Sequence, residues 1–357
     1  MRKQQNKKQQ KKVRIGILGC ANIAQKYSIK AFQAIDNAEV VCIASRDYAK
    51  AKECAARFGI SADKSYDTLL EREDVDAVYI PLPTGLHEEW VLKAANADKS
   101  IMCEKSLSDS FDSVKKVVDF CKSKGVVLYE NFMCDLHPQH KKVLSLISEG
   151  LIGKPFLFKS YFGFPPLDKN NFRYSKELGG GSLNDTGAYT VFMARKIFGA
   201  EPLATTCTLF NDANAITRVD DGVDISGASI LEFPDARIGL VAFSFNAVYQ
   251  NNYSVWGSKG LIRVSRAYSI PPDMKPSVEL LTNDGSKGST TQIEVGAANH
   301  FELIFEDFCN TVLTREEEKG KEKIEKIYSK TLLQAKVLEA MRISSKEKRR
   351  VELKEVE

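Results

Sequence analysis

The chain has 357 residues, of which 43% are hydrophobic and 27% charged, and this length suits two domains, each with its own core. No apolar run reaches the ~18–20 residues that a membrane-spanning helix needs, so no membrane partner is expected. Six of the positive charges behind the formal net charge of +4 lie in residues 1–12, which leaves the rest close to neutral and argues against a nucleic-acid-binding body.

Residues 1–12 are rich in Gln and Lys and nearly free of apolar side chains, which predicts a disordered basic tail. A contact with nucleic acid or an acidic surface is the alternative. This stretch lacks the apolar core of a secretory signal, and the eight cysteines show no Cys-x-x-Cys spacing. We therefore predict buried, reduced thiols and a cytoplasmic location. The four scattered histidines predict no metal site.

The first half of the chain alternates β-rich apolar runs with amphipathic stretches, the pattern of a parallel sheet wrapped by helices. It predicts a Rossmann domain over residues 13–133. The predicted strands are 13–18, 40–44, 77–80, 100–103 and 126–130. The predicted helices between them include 49–58, 87–97 and 110–122.

After residue 134 the pattern changes to one helix, 140–149, followed by longer strand-like runs separated by turn signals. The runs are 154–161, 204–209, 226–233, 237–247, 252–257 and 261–264. They predict a substrate-binding and oligomerisation domain over 134–345, so the fold class is α/β, a Rossmann domain joined to an α+β domain with a large, mostly antiparallel sheet. A helical stretch from 299 to about 345, broken near Lys319 and Gly320, precedes a charged C-terminal tail, 346–357, that is expected to fray.

A glycine-rich stretch, residues 16–24, follows the first strand and opens a helix, the context of a dinucleotide-binding fingerprint. Ala21 stands where a middle glycine normally lets the backbone approach a pyrophosphate, but the helix N-terminus can still attract phosphate. A strand-to-helix turn without a ligand is the alternative. The predicted cofactor-binding residues of this stretch are Gly16, Gly19, Cys20, Ala21, Asn22 and Ile23.

The end of the second strand predicts the choice of cofactor. NAD-preferring sites usually place a carboxylate there, whereas this chain has Ser45 and Arg46, with Lys50 one helical turn later. A hydroxyl and a guanidinium suit the 2′-phosphate of NADP, so we predict NADP(H). Alternatively, Arg46 is a solvated residue and Asp47 merely caps the helix.

Two clusters carry candidate catalytic residues. Glu104 and Lys105 end the fourth predicted strand, at the sheet edge where open α/β folds bind ligands, and a lysine there can polarise a carbonyl or bind an alkoxide. Three glycines, 179–181, precede the second cluster. If a helix starts after Leu183, then Asp185 and Tyr189 lie four residues apart on one face.

Together with stretches 81–87, 130–133, 172–174 and 299–301, these motifs resemble the glucose–fructose oxidoreductase and inositol dehydrogenase (Gfo/Idh/MocA) family of two-domain, NAD(P)-dependent enzymes. The resemblance covers residue 13 to about 345. Ser106 replaces the proline that commonly follows Glu-Lys in the family, which leaves that loop's geometry open. Tyr189 replaces a common histidine and is similar to the branch that reduces 3-keto nucleotide-linked deoxysugars.

The resemblance implies NADPH-dependent reduction of a keto group, at C3, on a dTDP-type deoxysugar. Lys105 would stabilise the oxyanion, Tyr189 or Lys105 would supply the proton, and Asp185 would orient a sugar hydroxyl or the pair. We expect the nearby ammonium to bring the pKa of Tyr189 toward neutrality. The further cofactor contacts that the resemblance implies are Pro81, Leu82, Thr84, His87, Glu104, Lys105, Asn131 and Arg173.

Two other functions remain open from the sequence. One is oxidation of a free sugar, polyol or trans-dihydrodiol with NADP⁺, and the other is a non-catalytic NADP-binding sensor or assembly role, against which the presence of both Lys105 and Tyr189 argues. The predicted sheet should expose one broad face, and the resemblance implies a homodimer or homotetramer through it. The expected small-molecule partner is a nucleotide-linked sugar, with no nucleic acid.

Overall fold

A computed structural model describes residues 11–211, 222–284 and 287–357. The predicted N-terminal tail lies outside these residues, except for its last two positions. Two sheets organise the described chain, a six-stranded parallel sheet in the N-terminal half and a nine-stranded sheet in the C-terminal half. The predicted combination of a Rossmann domain with a second, mostly antiparallel domain is therefore confirmed.

The N-terminal sheet has the strand order β3-β2-β1-β4-β5-β6. Its strands are β1 Val13–Leu18, β2 Ala38–Ala44, β3 Ser61–Asp63, β4 Ala77–Ile80, β5 Ser100–Glu104 and β6 Leu128–Asn131. The helices are α1 Ile29–Ala34, α2 Tyr48–Phe58, α3 Tyr66–Leu70, α4 His87–Asn96 and α5 Phe111–Lys124. The five predicted strands are present, because buried parallel strands are near-continuous apolar runs. The sequence did not predict β3, which has three residues and no apolar run.

The C-terminal sheet has the order β14-β13-β12-β11-β7-β10-β9-β8-β15. Its strands are β7 Pro155–Gly163, β8 Ala204–Phe210, β9 Ser226–Phe233, β10 Arg237–Ser244, β11 Gln250–Gly257, β12 Gly260–Val264, β13 Val278–Asp284, β14 Lys287–Ile293 and β15 Val351–Glu352. Its neighbours pair antiparallel except for β7 and β10. The helices are α6 Pro138–Ser148, α7 Ala188–Phe198, α8 His300–Leu313 and α9 Glu318–Glu347.

The two C-terminal helices connect the domains. Helix α8 packs against α1, whereas α9 packs against α5 and β6 on one side and β8 on the other. The predicted division into two helices is confirmed, but the break lies at residues 314–317 and not at Lys319 and Gly320. Gly320 lies inside α9, where a Cβ would come within 2.0 Å of the Thr314 carbonyl oxygen, so glycine permits this close approach.

The prediction of a fraying C-terminal tail is wrong. Val351 pairs with Thr205 of β8, so β15 forms the last strand of the large sheet. Val351, Leu353 and Val356 are all buried. These three apolar side chains, dispersed among charged residues, fix the segment because their burial offsets the entropy of ordering it.

All eight cysteines are buried and unpaired, as predicted. Within residues 11–211, 222–284 and 287–357, no helix is both long and apolar enough to cross a membrane. The same residues contain no cluster of three or more His, Cys, Asp or Glu arranged to hold a metal ion. The cytoplasmic location stays a prediction.

Three buried histidines meet where α6 and α8 begin. The ring centroid of His137 lies 6.3 Å from that of His140 and 6.4 Å from that of His300. Burial lowers the pKa of His137 to about 4 and that of His300 to about 3. Both rings are therefore neutral in the folded protein near neutral pH, and protonating either requires a charge in an apolar site.

This cluster predicts acid sensitivity. Between pH 6.5 and about 4 the unfolded chain binds protons that the native rings do not, so the free energy of unfolding should fall as pH is lowered. The loss should be on the order of 1 kcal/mol per pH unit for each histidine. Urea unfolding at pH 7.5, 5.5 and 4.5 measures the slope, and the double variant His137→Gln, His300→Gln should show a shallower one. Parallel slopes for the two proteins would contradict this explanation.

Candidate active site

The turn after β1 has the geometry of a phosphate-binding turn. Gly19 has φ +121°, a conformation that side chains rarely adopt, and a Cβ there would lie 3.0 Å from the Leu82 side chain. The first helical hydrogen bond runs from Gln25 N to Ala21 O at 3.1 Å, so the preceding amides have no helical acceptor and can attract an anion. Gly16 lies within β1, where a Cβ would be 2.6 Å from the Leu69 side chain, so its small size serves packing.

The segment after β2 presents two cations. Asp47 caps α2 by accepting hydrogen bonds from Ala49 N at 2.9 Å and Lys50 N at 3.3 Å. Arg46 and Lys50 are exposed, and Ser45 is buried. Asp47 thus caps the helix, as the alternative interpretation of this stretch predicted. The cap leaves the side chains of Arg46 and Lys50 on the surface beside the glycine turn.

A buried histidine links the loop after β4 to the loop that carries Lys105. The ring nitrogens of His87 lie 2.8 Å from the Leu82 carbonyl oxygen and 2.9 Å from the Ser106 carbonyl oxygen. Ser106 also donates to the Asn184 carbonyl oxygen at 2.8 Å, and the peptide between Lys105 and Ser106 is cis. His87 therefore positions two loops of the site.

Glu104 and Asn131 form a polar pair at the ends of β5 and β6. The Tyr79 hydroxyl and the Asn131 amide donate to Glu104 Oε1 at 2.6 and 2.7 Å. Burial raises the pKa of Glu104 above its ordinary value despite these two donors. Asn131 Oδ1 is buried and has no hydrogen-bond partner among the described residues. An unpaired buried acceptor is costly, so this oxygen is available to a bound ligand.

The two domains meet at Lys105 and Asp185. Lys105 Nζ donates to the Asp185 backbone oxygen at 2.9 Å and pairs with Oδ1 of its carboxylate, while Arg173 Nε donates to Oδ2 at 2.5 Å. The Lys105 side chain is only 8% exposed. Burial alone would raise the pKa of Asp185, but Arg173 and Lys105 hold it well below its usual range. The carboxylate is thus an anion shared by two cations.

Tyr189 lines the same site as the second residue of α7, which directly follows the π-helical turn Leu183–Gly187. Its ring centroid lies 4.9 Å from Lys105 Nζ, and it packs against Phe132, Phe162 and Tyr268. The predicted shared face of Asp185 and Tyr189 is confirmed, since both contact Lys105.

The expected lowering of the pKa of Tyr189 is wrong. Burial raises this pKa well above its ordinary value, and the carboxylates of Glu104 and Asp185 add to the effect. The ammonium of Lys105 lies over the ring, 4.9 Å from its centroid, and does not reverse the shift. The phenol therefore keeps its proton at neutral pH.

The three consecutive glycines pack against three different segments of the protein. A Cβ on Gly179 would lie 2.6 Å from Gly85 N, and one on Gly180 would lie 2.4 Å from Arg173 O. A Cβ on Gly181 would lie 2.5 Å from Asp224 Oδ1. The sequence predicts close backbone approach here, and the structure shows that the approaching groups belong to the protein itself.

Two partly buried acids that the sequence did not single out as site residues hold the loops in place. Glu130 Oε1 accepts from Leu107 N at 2.9 Å, and burial raises its pKa to about 7. Asp224 accepts from Ser182 Oγ at 2.6 Å and from Leu183 N at 2.7 Å. An acid within the apolar run 126–131 was a usable signal for Glu130, whereas nothing in the sequence near Asp224 indicates its partners.

Models of one protein family match both halves of the chain. Residues 13–132 match the family model of the Gfo/Idh/MocA oxidoreductases, described as an NAD-binding Rossmann fold. Residues 140–263 match the model of the C-terminal domain of the same family.

Two curated relatives act on sugars. A dTDP-3,4-didehydro-2,6-dideoxy-α-D-glucose 3-reductase from Saccharopolyspora spinosa is 38% identical over 270 residues, covering 76% of this chain and 80% of the relative. A D-xylose 1-dehydrogenase (NADP⁺) from Haloferax volcanii is 37% identical over 259 residues, covering 72% and 77%.

Among solved structures, the 3-ketoreductase KijD10 from Actinomadura kijaniata, in complex with NADP and TDP-benzene, superposes with a TM-score of 0.86 at 32% identity. The superposition covers 93% of this chain and 98% of that one. KijD10 has also been solved with one lysine replaced by alanine or glutamate and with one tyrosine replaced by phenylalanine. Those two positions are separated by the same number of residues as Lys105 and Tyr189. This chain belongs to the Gfo/Idh/MocA oxidoreductase family.

Proposed function

We propose that the protein uses NADPH to reduce a keto group, at C3, on a nucleotide-linked deoxysugar of the dTDP type. The observation that carries this proposal is the convergence of Lys105 from one domain with Asp185 and Tyr189 from the other. An ammonium beside a protonated phenol suits a reaction in which a carbonyl oxygen gains negative charge and then a proton.

Two of the comparisons support this substrate class. The Saccharopolyspora relative reduces a dTDP-linked keto sugar at C3, according to its name, and KijD10 binds NADP and a thymidine diphosphate derivative. The substituted lysine and tyrosine of KijD10 correspond in spacing to Lys105 and Tyr189. These are the residues that we propose as catalytic, with Asp185 holding Lys105.

The residues present fit an NADP cofactor. The positive φ of Gly19 and the free amides after it suit a pyrophosphate, and the unpaired Asn131 Oδ1 is a buried acceptor at the same sheet edge. Exposed Arg46 and Lys50 would hold the 2′-phosphate. NADPH, when bound, supplies the hydride.

The protein's own residues then control charge and protons at the ketone. Lys105 would donate a hydrogen bond to the carbonyl oxygen and stabilise the alkoxide, because burial strengthens such interactions. Tyr189 or Lys105 would supply the proton. The raised pKa of Tyr189 keeps its phenol protonated at neutral pH, while the lowered pKa of Asp185 keeps its carboxylate ionised. Phe132, Phe162 and Tyr268 around the Tyr189 ring exclude water.

Oxidation of a free sugar with NADP⁺ is the second candidate, because the Haloferax relative is a D-xylose 1-dehydrogenase of nearly the same identity. The same constellation could run in that direction if the phenol lost its proton. Steady-state assays with a dTDP-linked 3-keto sugar and with free aldoses distinguish the two. Turnover of free aldoses alone would overturn the first proposal.

We further propose that the chain forms a homodimer or homotetramer through the outer face of the nine-stranded sheet. Trp256 is 52% exposed and Tyr161 is 38% exposed on this face. They surround a shallow concavity of about 520 Å³ with Leu157 and Leu261, beside the cations Lys159 and Arg263. Exposed aromatic surface of this kind is typical of protein interfaces.

Replacing Lys105 tests the catalytic assignment. Lys105→Ala should lower kcat by about a thousandfold by removing the oxyanion's hydrogen-bond donor, while the Kd for NADPH, measured by protein fluorescence, should stay within about threefold. Tyr189→Phe should lower kcat at least about a hundredfold if the phenol donates the proton, and much less if Lys105 does. Tyr268→Phe, which removes a hydroxyl bonded to Ser160 but keeps the ring packed on Tyr189, is the control. Full turnover by Lys105→Ala would exclude the proposed role.

Replacing Arg46 tests the cofactor preference. Arg46→Ala should raise the Kd for NADPH roughly tenfold or more, because it removes a charge-assisted contact to the 2′-phosphate. The Kd for NADH should hardly change. Arg57→Ala, in helix α2, which follows Arg46, is the matched control, since Arg57 pairs with Glu53. Equal weakening of both cofactors would show that Arg46 does not read the phosphate.

The oligomer proposal predicts a wild-type assembly that a charge on the sheet face disrupts. Trp256→Glu should shift the mass measured by light scattering to that of a monomer, because an unpaired carboxylate is costly in an apolar contact. The control is Tyr27→Glu, an exposed aromatic of the Rossmann domain. A monomeric wild-type protein at all concentrations would contradict the proposal.

A further inference from the structure

Arg173 binds one carboxylate oxygen of Asp185, and Lys105 binds the other. Arg173 Nε donates to Oδ2 at 2.5 Å, and Lys105 Nζ pairs with Oδ1. The three groups together carry one net positive charge. They are largely enclosed, with exposed side-chain fractions of 8% for Lys105, 18% for Asp185 and 29% for Arg173.

The backbone of Arg173 is fixed independently of this ion pair. Arg173 N donates to Asn171 Oδ1 at 3.1 Å, and Arg173 O accepts from Gly181 N at 2.9 Å. Gly180 permits this approach because any side chain there would collide with Arg173 O. The guanidinium also lies over the Phe172 ring, 4.8 Å from its centroid. These contacts hold the guanidinium at Asp185, so it needs no substrate to bring it there.

We propose that Arg173 is a positioning residue that limits how tightly Asp185 holds Lys105 and supplies the positive charge that balances the alkoxide. Without Arg173, the pair of Lys105 and Asp185 would be neutral, so these protein groups would offer no net positive charge to a developing alkoxide. With Arg173, the three side chains together carry one net positive charge, which the alkoxide neutralises. Charge balance matters because interactions are strong where water is excluded.

Glu104 and Glu130 do not alter the comparison between the site with Arg173 and the site without it. Glu104 is bound by Tyr79 and Asn131, and Glu130 by the Leu107 amide, so none of these contacts involves Arg173. The family resemblance implies a contact of Arg173 with the cofactor, a role that would affect the Kd for NADPH. A purely structural role would affect stability and not the balance of charge.

The kinetic test rests on the proposed ketone reduction and uses three variants. Arg173→Gln should lower kcat at least about tenfold, with the Kd for NADPH within about twofold and a similar KM, whereas Arg173→Lys should regain most of the rate. Adding Asp185→Asn to Arg173→Gln should recover part of the loss, because Lys105 alone restores the positive charge. A raised KM or Kd with normal kcat, or additive losses in the double variant, would overturn the proposal.

A second readout needs no substrate and separates this proposal from the proposed function. Acetylation of Lys105 by acetic anhydride at fixed pH, quantified by mass spectrometry, reports how freely the side chain gives up its proton and reacts. Arg173→Gln should slow it about threefold or more, because Asp185 then holds the ammonium alone. Lys99, whose ammonium is bound by two backbone carbonyl oxygens, is the internal control. Unchanged acetylation of Lys105 would overturn the proposal whatever the enzyme's substrate.

Discussion

The contact between Lys105 and Asp185 crosses from the Rossmann domain to the C-terminal domain, and the arrangement of the site depends on it. Two segments must therefore meet within hydrogen-bonding distance. One is the loop after β5, which carries Lys105, and the other is the turn before α7, which carries Asp185. On one side His87 and Glu130 hold the loop that carries Lys105. On the other, Asp224 holds the turn that precedes Asp185. Both loops are thus supported by buried polar groups, which gives the site a defined geometry.

The triple glycine explains how so many segments reach one place. Gly179 contacts the loop at Gly85 of the Rossmann domain, Gly180 contacts Arg173, and Gly181 contacts Asp224. Any side chain at these positions would separate the backbones. This would weaken the contacts that join the loop at Gly85, the Arg173 segment and the Asp224 segment. Helix α9 adds a second connection, because it packs against both domains.

The sequence predicts most of the Rossmann half, because parallel strands are continuous apolar runs and the glycine turn has a fixed relation to them. It also brings Asp185 and Tyr189 onto one face by their spacing. It fails where tertiary contacts decide. The tail at Val351 is ordered by pairing with β8, and Gly320 lies inside a helix, where the missing Cβ leaves room for the Thr314 carbonyl oxygen. The upward shift in the pKa of Tyr189 depends on burial and on the carboxylates of Glu104 and Asp185, neither of which spacing along the chain reveals.

The central claim is that groups from two domains address one carbonyl oxygen. A crystal structure of the chain with NADP⁺ and a dTDP-linked 3-hydroxy sugar measures this directly. We expect the C3 oxygen to lie about 2.6–3.2 Å from Lys105 Nζ, with the Tyr189 hydroxyl at a similar distance from the same oxygen. A sugar bound with its C3 oxygen beyond hydrogen-bonding reach of both groups, while Lys105 remains paired with Asp185, would contradict the account.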